Sequence, residues 1–202
     1  MALTIENHVY REGEGIPLIL VHGFPVDHRM WDRCATALME MSDAQECTQY
    51  PIWAPDMPGA GASPVPRPED SGARAEDGAL PDALDLMADA YVDLLHAAGY
   101  GQAIWAGLSM GGYLVLDVQR RHPEAVAGMA LLDTKGDADA PASRAHRIEI
   151  ARECVQRHTT DPDAFESVGC PDTALIHDGQ IIRYGVPVGE GQGTVSLSPL
   201  MP

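Results

Sequence analysis

The chain has 202 residues, is 45% apolar and carries a formal net charge of −17. That supports one domain with its own core and argues against a disordered chain, and no apolar run reaches the length of a membrane-spanning helix. The negative charge argues against nucleic acid as a partner, which needs a basic footprint, and against docking on an anionic membrane.

Residues 1–8 lack a basic segment followed by an apolar core, so no signal peptide is expected and the expected location is cytoplasmic. Residues 3–11 and 16–21 read as two strands. The second, Ile16-Pro17-Leu18-Ile19-Leu20-Val21, is a continuous apolar run of the kind buried on both sheet faces, and it ends at His22-Gly23-Phe24-Pro25. A helix over 28–41 follows, with Trp31, Ala35 and Leu38 on one side. Residues 51–55 form a short third strand, which runs into the glycine-rich loop Asp56-Met57-Pro58-Gly59-Ala60-Gly61-Ala62-Ser63. Residues 64–81 have no periodicity and read as an exposed, mobile insertion. From Asp82 a helix places Leu84, Met87, Tyr91, Leu94 and Ala98 toward the core. Asp82, Asp85, Asp89 and Asp93 lie on a solvated side, and Gly99 is the stop. A strand over 102–106 comes next.

Gly107-Leu108-Ser109-Met110-Gly111-Gly112 stands between that strand and a helix running to about His122. A serine between glycines at a sharp strand-to-helix turn is the pattern of a nucleophile elbow, which holds Oγ exposed above a sheet. The helix start beyond it offers unpaired N–H groups and a positive dipole end to a developing oxyanion. The plainer alternative is an ordinary βα turn built from small residues. Residues 126–132 read as a further buried strand ending at Asp133-Thr134. A helix over 142–158 carries Arg144, Arg147, Arg152 and Arg157 on a solvated face. Alternating apolar strands and helices predict an α/β fold with a mostly parallel sheet flanked by helices. Cys34, Cys47, Cys154 and Cys170 form no C-x-x-C pair and no zinc-type spacing with histidine, so reduced thiols and no zinc site are expected.

Three of these segments, in order, resemble the α/β-hydrolase superfamily: His22-Gly23-Phe24 after a buried strand, the D-x-P-G-x-G-x-S loop at 56–63, and the elbow. Arg121-His122-Pro123-Glu124-Ala125-Val126 is similar to the helix-to-strand passage that follows the elbow. The similarity covers residues 15–157, and the wording is most similar to esterases and enol-lactone hydrolases. The resemblance implies a serine hydrolase acting on a small-molecule ester, lactone or similar acyl substrate, with no metal and no cofactor. Ser109 would be the nucleophile, and the backbone N–H groups of Phe24 and Met110 would form the oxyanion hole. It makes His22 a structural brace and Asp56 a loop organiser, because the family order is nucleophile, acid, histidine.

The tail departs from the family pattern. Residues 1–158 form the expected core, and 159–202 an atypical remainder. There Thr173-Ala174-Leu175-Ile176-His177 and Gln180-Ile181-Ile182-Arg183-Tyr184, joined by Asp178-Gly179, predict a hairpin followed by disorder. The family's closing strands read as missing or atypical. Two expectations stay open. In a compact variant Asp133 is the acid and His177 the base, with His146 and His158 as further candidates. In the other, the chain is a truncated, catalytically incompetent hydrolase-like protein without its general base, and Asp133 only caps the segment after it.

Overall fold

The computed structural model describes residues 3–45, 49–76, 79–137, 140–157, 173–177 and 180–184. Its centre is a five-stranded sheet in the order β1 (Asn7–Arg11), β3 (Ile52–Pro55), β2 (Leu18–Val21), β4 (Ala103–Leu108), β5 (Val126–Leu132). β1 pairs antiparallel with β3, and every other pairing is parallel. Helices α1 (Asp32–Ala44), α2 (Ala83–Ala97) and α3 (Met110–Arg121) supply the crossovers, and α4 (Pro141–Arg157) follows β5. Strands β6 (Thr173–His177) and β7 (Gln180–Tyr184) pair antiparallel as a separate hairpin. No helix among the described residues is long and apolar enough to cross a membrane.

The continuous apolar runs reflect burial on both faces. Ile19 and Val21 of β2 join Trp105, Tyr91, Leu95, Leu114 and Val118 in the cluster beneath α2 and α3. The alternate residues Leu18 and Leu20 turn to the opposite face, against Trp31, Ala35 and Leu38 at α1. Trp105 is fully buried, and its indole N–H donates to the Ala125 carbonyl at 3.0 Å, so its polar atom is satisfied.

Local structure corrects some expectations and agrees with others. The chain begins α1 with a 3-10 turn over His28–Trp31, capped by the Asp27 carboxylate. The core face of α2 is centred on Ala88, Tyr91, Val92 and Leu95, whereas Ala98 is exposed where the helix unwinds. Gly99, at φ 87°, ends that helix: its N–H bonds to His96 and the Tyr100 N–H to Leu95, and a left-handed residue is required there. Residues 64–76 and 79–81 are largely exposed, as expected, and contain a 3-10 turn over Pro68–Asp70. β5, expected to be buried, exposes Met129, Leu131 and Leu132, because among the described residues the sheet ends at this strand.

The acidic side of α2 is not simply solvated. Asp85 accepts from Arg120 at 2.6 Å and Arg121 at 2.9 Å, and Asp89 is bonded by Arg121 and His122 at 2.7 Å. These contacts staple α2 to the last turn of α3, the helix that starts at the elbow. Burial works against ionisation of Asp89, but the hydrogen bonds from Arg121 and His122 prevail and hold its pKa below the usual carboxylate value. A depressed folded pKa gives stability that is present above the unfolded Asp value of about 3.9 and is lost as pH falls through the folded one. Asp89→Asn is therefore expected to lower the unfolding free energy, read from urea denaturation at pH 7, by a surface-pair amount of about 0.2–1 kcal/mol. The gap to wild type should close as denaturation curves are repeated below pH 4. A constant gap at all pH values would remove the ionic explanation.

Candidate active site

Parallel pairing of β2, β4 and β5 brings three loops together at the carboxyl ends of these strands. Val21 lies opposite Gly107, and Leu108 opposite Leu132. The next residues along the chain are His22-Gly23-Phe24, Ser109 and Asp133-Thr134. The chain leaves β2 toward β3 on one side and later returns to β4 on the other, so this is a topological switch point, the usual ligand site of an open α/β sheet.

Ser109 is the turn residue itself, at φ 52° and ψ −114°, exposed, and immediately before α3. Its N–H donates to the Leu132 carbonyl at 3.0 Å. Its carbonyl accepts the Gly112 N–H at 3.0 Å and the Thr134 hydroxyl at 2.8 Å. The strained backbone is therefore fixed from both neighbouring elements, leaving the side chain outward. Asp133, at φ 41°, is the other non-glycine residue with positive φ among the described residues. Two strained residues, side by side in the sheet register, mark a place where ordinary backbone preference has been overridden.

The glycines explain why the turn can be so tight. A Cβ on Gly107 would run into the Gly111 backbone, one on Gly111 into the Val21 and His22 carbonyls, and one on Gly112 into Thr134. Each marks an approach that only a hydrogen side chain permits. Met110, the first residue of α3, has no helical carbonyl one turn back to receive its N–H, which leaves that donor at the positive end of the helix. Gly23 lies against Leu108 and Ser109, with an added Cβ within 3.4 Å of both, so the loop bearing Phe24 is beside the elbow. Phe24 itself is exposed.

A second layer holds that loop. His22 is buried, its Nε2 accepts the Met57 N–H at 2.8 Å, and its Nδ1–H donates to the Gly23 carbonyl at 2.8 Å. These partners specify the neutral Nδ1–H tautomer, and burial lowers the His22 pKa despite the opposing hydrogen bond to Gly23. With both nitrogens occupied, His22 has none to offer Ser109. Asp56 is also buried. Its carboxylate accepts the His28 N–H at 2.8 Å, the His28 ring Nδ1–H at 2.9 Å and the Ala62 N–H at 2.9 Å. A Cβ on Gly61 would overlap this carboxylate. Ser63 donates from Oγ to the Asp56 carbonyl and accepts the Glu6 N–H.

Asp27, His28 and Asp56 bring one potential metal-ligand atom each to within 4.8 Å of one another. Their atoms are engaged in hydrogen bonds, Asp27 with Arg29 and Asp56 with His28 and Ala62. Nothing in the sequence singles out His28 or Thr134: a histidine at a helix start and a threonine after a strand carry no signal of their own. His146 is on α4 beside Glu149, and His177 ends β6 opposite Gln180. His158 lies outside the described residues, as do 159–172 and 185–202.

Gly111→Ala should cost on the order of several kcal/mol or prevent folding, since the clash is with backbone that cannot swing aside. Gly101→Ala has open space around it and should leave the melting temperature near wild type. Thermal denaturation of the two variants checks the pair, and equal tolerance would contradict the packing described for the elbow.

Comparison with known proteins places this geometry. The family model described as alpha/beta hydrolase fold matches residues 16–161. The chain is 31% identical over 166 residues to Lipase LipV of Mycobacterium tuberculosis, covering 81% of this chain and 52% of that protein. It is 29% identical to 2-hydroxymuconate semialdehyde hydrolase of a Pseudomonas species, covering 67% of this chain and 42% of that protein. A thermophilic esterase from Thermogutta terrifontis superposes with a TM-score of 0.58 at 28% identity, over 82% of this chain and 52% of the esterase. The chain thus spans about half the length of the relatives it matches. The matched span contains the whole described elbow, the loop before it and the strands that carry them, and the chain belongs to the alpha/beta hydrolase fold family.

Proposed function

We propose that this protein is a serine hydrolase that cleaves a small ester, lactone or similar acyl substrate through an acyl-enzyme on Ser109. The observation that carries the reading is the exposed Ser109 at φ 52°, held at a strand-to-helix turn by hydrogen bonds from two neighbouring elements. Oγ attacks the substrate carbonyl carbon while its proton passes to a base. The carbonyl π pair becomes an oxyanion, received by the N–H groups of Met110 and Phe24. Collapse of the tetrahedral species expels the leaving-group oxygen, which takes the proton, and water then repeats the sequence to release the acid. Asp133 is the proposed acid and His177 the proposed base, in the order the family follows. The chemistry calls for no metal and no cofactor, and the ligand is a small acyl compound. The esterase and lipase names of the relatives support this substrate class.

A second reading has one observation in its favour: His22, the histidine of the loop beside the elbow, has both ring nitrogens taken by Met57 and Gly23 and offers none to Ser109. On that reading the chain keeps the elbow but lacks a competent base.

An active-site fluorophosphonate separates the two. Wild type should be labelled, Ser109→Ala should not be, and Asp133→Asn and His177→Ala should label on the order of 10⁴-fold more slowly. Labelling that persists in Ser109→Ala would overturn the nucleophile. A folded wild type that does not label would establish the incompetent reading.

A further inference from the structure

The loop over 22–28 is bracketed by two consecutive residues of a different loop. At one end His22 receives the Met57 N–H, and at the other His28 is bound by the Asp56 carboxylate. The two anchors differ in kind. The first goes to backbone and is buried completely. The second is a ring-to-carboxylate contact, with His28 Nδ1 at 3.0 Å from Oδ1 and 2.9 Å from Oδ2. The His28 ring is held from outside as well. His8 stacks on it, with ring centroids 4.3 Å apart and planes 13° apart, and the Tyr10 hydroxyl donates to the His28 carbonyl at 2.8 Å. Gly23 and Phe24 lie between the anchors, and Gly23 abuts Ser109.

A helix-start residue needs only its backbone N–H capped, and the Asp56 Oδ1 contact to that N–H already does so. The ring bond is additional. It uses the second carboxylate oxygen, which also takes the Ala62 N–H, and it locks the far end of the loop against rotation about Asp56. An oxyanion donor must sit near 3 Å from where charge develops, and displacement of about 1 Å can cost up to 100-fold in rate. The residue that fixes the end of this loop therefore controls the placement of its donor.

We infer that His28, acting through Asp56, is the positioning residue that holds the Gly23-Phe24 segment at the oxyanion site. The inference rests on the Ser109 reading. The ring Nδ1–H is the working atom, and Nε2 is not required.

Asn and Gln test this atom by atom. Asparagine places an amide N–H close to the position of Nδ1, and glutamine places one close to that of Nε2. The rate of fluorophosphonate labelling, resolved into a saturation constant and a maximal rate, is measured for wild type, His28→Asn and His28→Gln, with melting temperatures alongside. His28→Asn is expected within about threefold of wild type. His28→Gln is expected to lose about tenfold in maximal rate with its saturation constant little changed, since the loop acts on the charged state rather than on binding. A general structural role would lower the melting temperature of both variants and would not sort them by atom position. Equal rates for Asn and Gln, or a loss confined to the saturation constant, would overturn the inference while leaving the Ser109 nucleophile intact. A folded wild type that is not labelled fails the Ser109 reading itself, and this inference with it.

Discussion

The site depends on one constraint: β4 is gripped in register between β2 and β5, so the residues that follow all three strands must share the same small volume. Sharing it forces backbone against backbone. Gly107, Gly111 and Gly112 are the positions where the strand, the helix and the neighbouring loops come too close for a Cβ. Once those approaches are made, the chain has little choice at Ser109. The turn closes in a conformation an L-residue dislikes, at a cost of about 1–3 kcal/mol by general experience, and the hydrogen bonds to Leu132, Gly112 and Thr134 offset it. The exposed hydroxyl is a consequence of the packing beneath it.

Buried polar groups extend the same logic outward. His22 and Asp56 are both nearly inaccessible, and a buried polar group left without partners is expensive. Each of the two is fully engaged, with its bonds reaching across loops more than 25 residues apart in sequence. The loop next to the elbow is therefore positioned by hydrogen bonds of defined geometry, where apolar packing would leave it free to slide. Specificity of loop placement, rather than added stability, is what such a network contributes.

Legibility in the sequence followed the range of the interactions. The apolar run of β2, the Gly99 stop and the Gly-x-Ser-x-Gly turn are each local, and their residues state the structure directly. What sequence reading missed depends on neighbours distant in the chain. The aspartates of α2 look solvated until Arg120 and Arg121 are brought beside them. His28 looks like an ordinary helix-start residue until Asp56 is found against its ring. β5 reads as buried because its residues are apolar, yet burial depends on what lies on either side of a strand, and among the described residues one side has no further strand.

The same division runs through the chemistry. The proposed nucleophile elbow is specified by one turn and the strands that flank it, all within the matched span of the family. The proposed oxyanion donors belong to that neighbourhood as well, one at the start of α3 and one in the loop tied to residues 56 and 57. A general base is different, because it must be delivered to the serine by a separate element from elsewhere in the chain, and no local constraint at the elbow specifies it. Electrophile recognition and proton transfer are thus encoded in different parts of the polypeptide. The turn at Ser109 is fixed by its own neighbours, and it supports the proposed nucleophile directly, whereas the proposed acid and base, Asp133 and His177, are supplied by later strands.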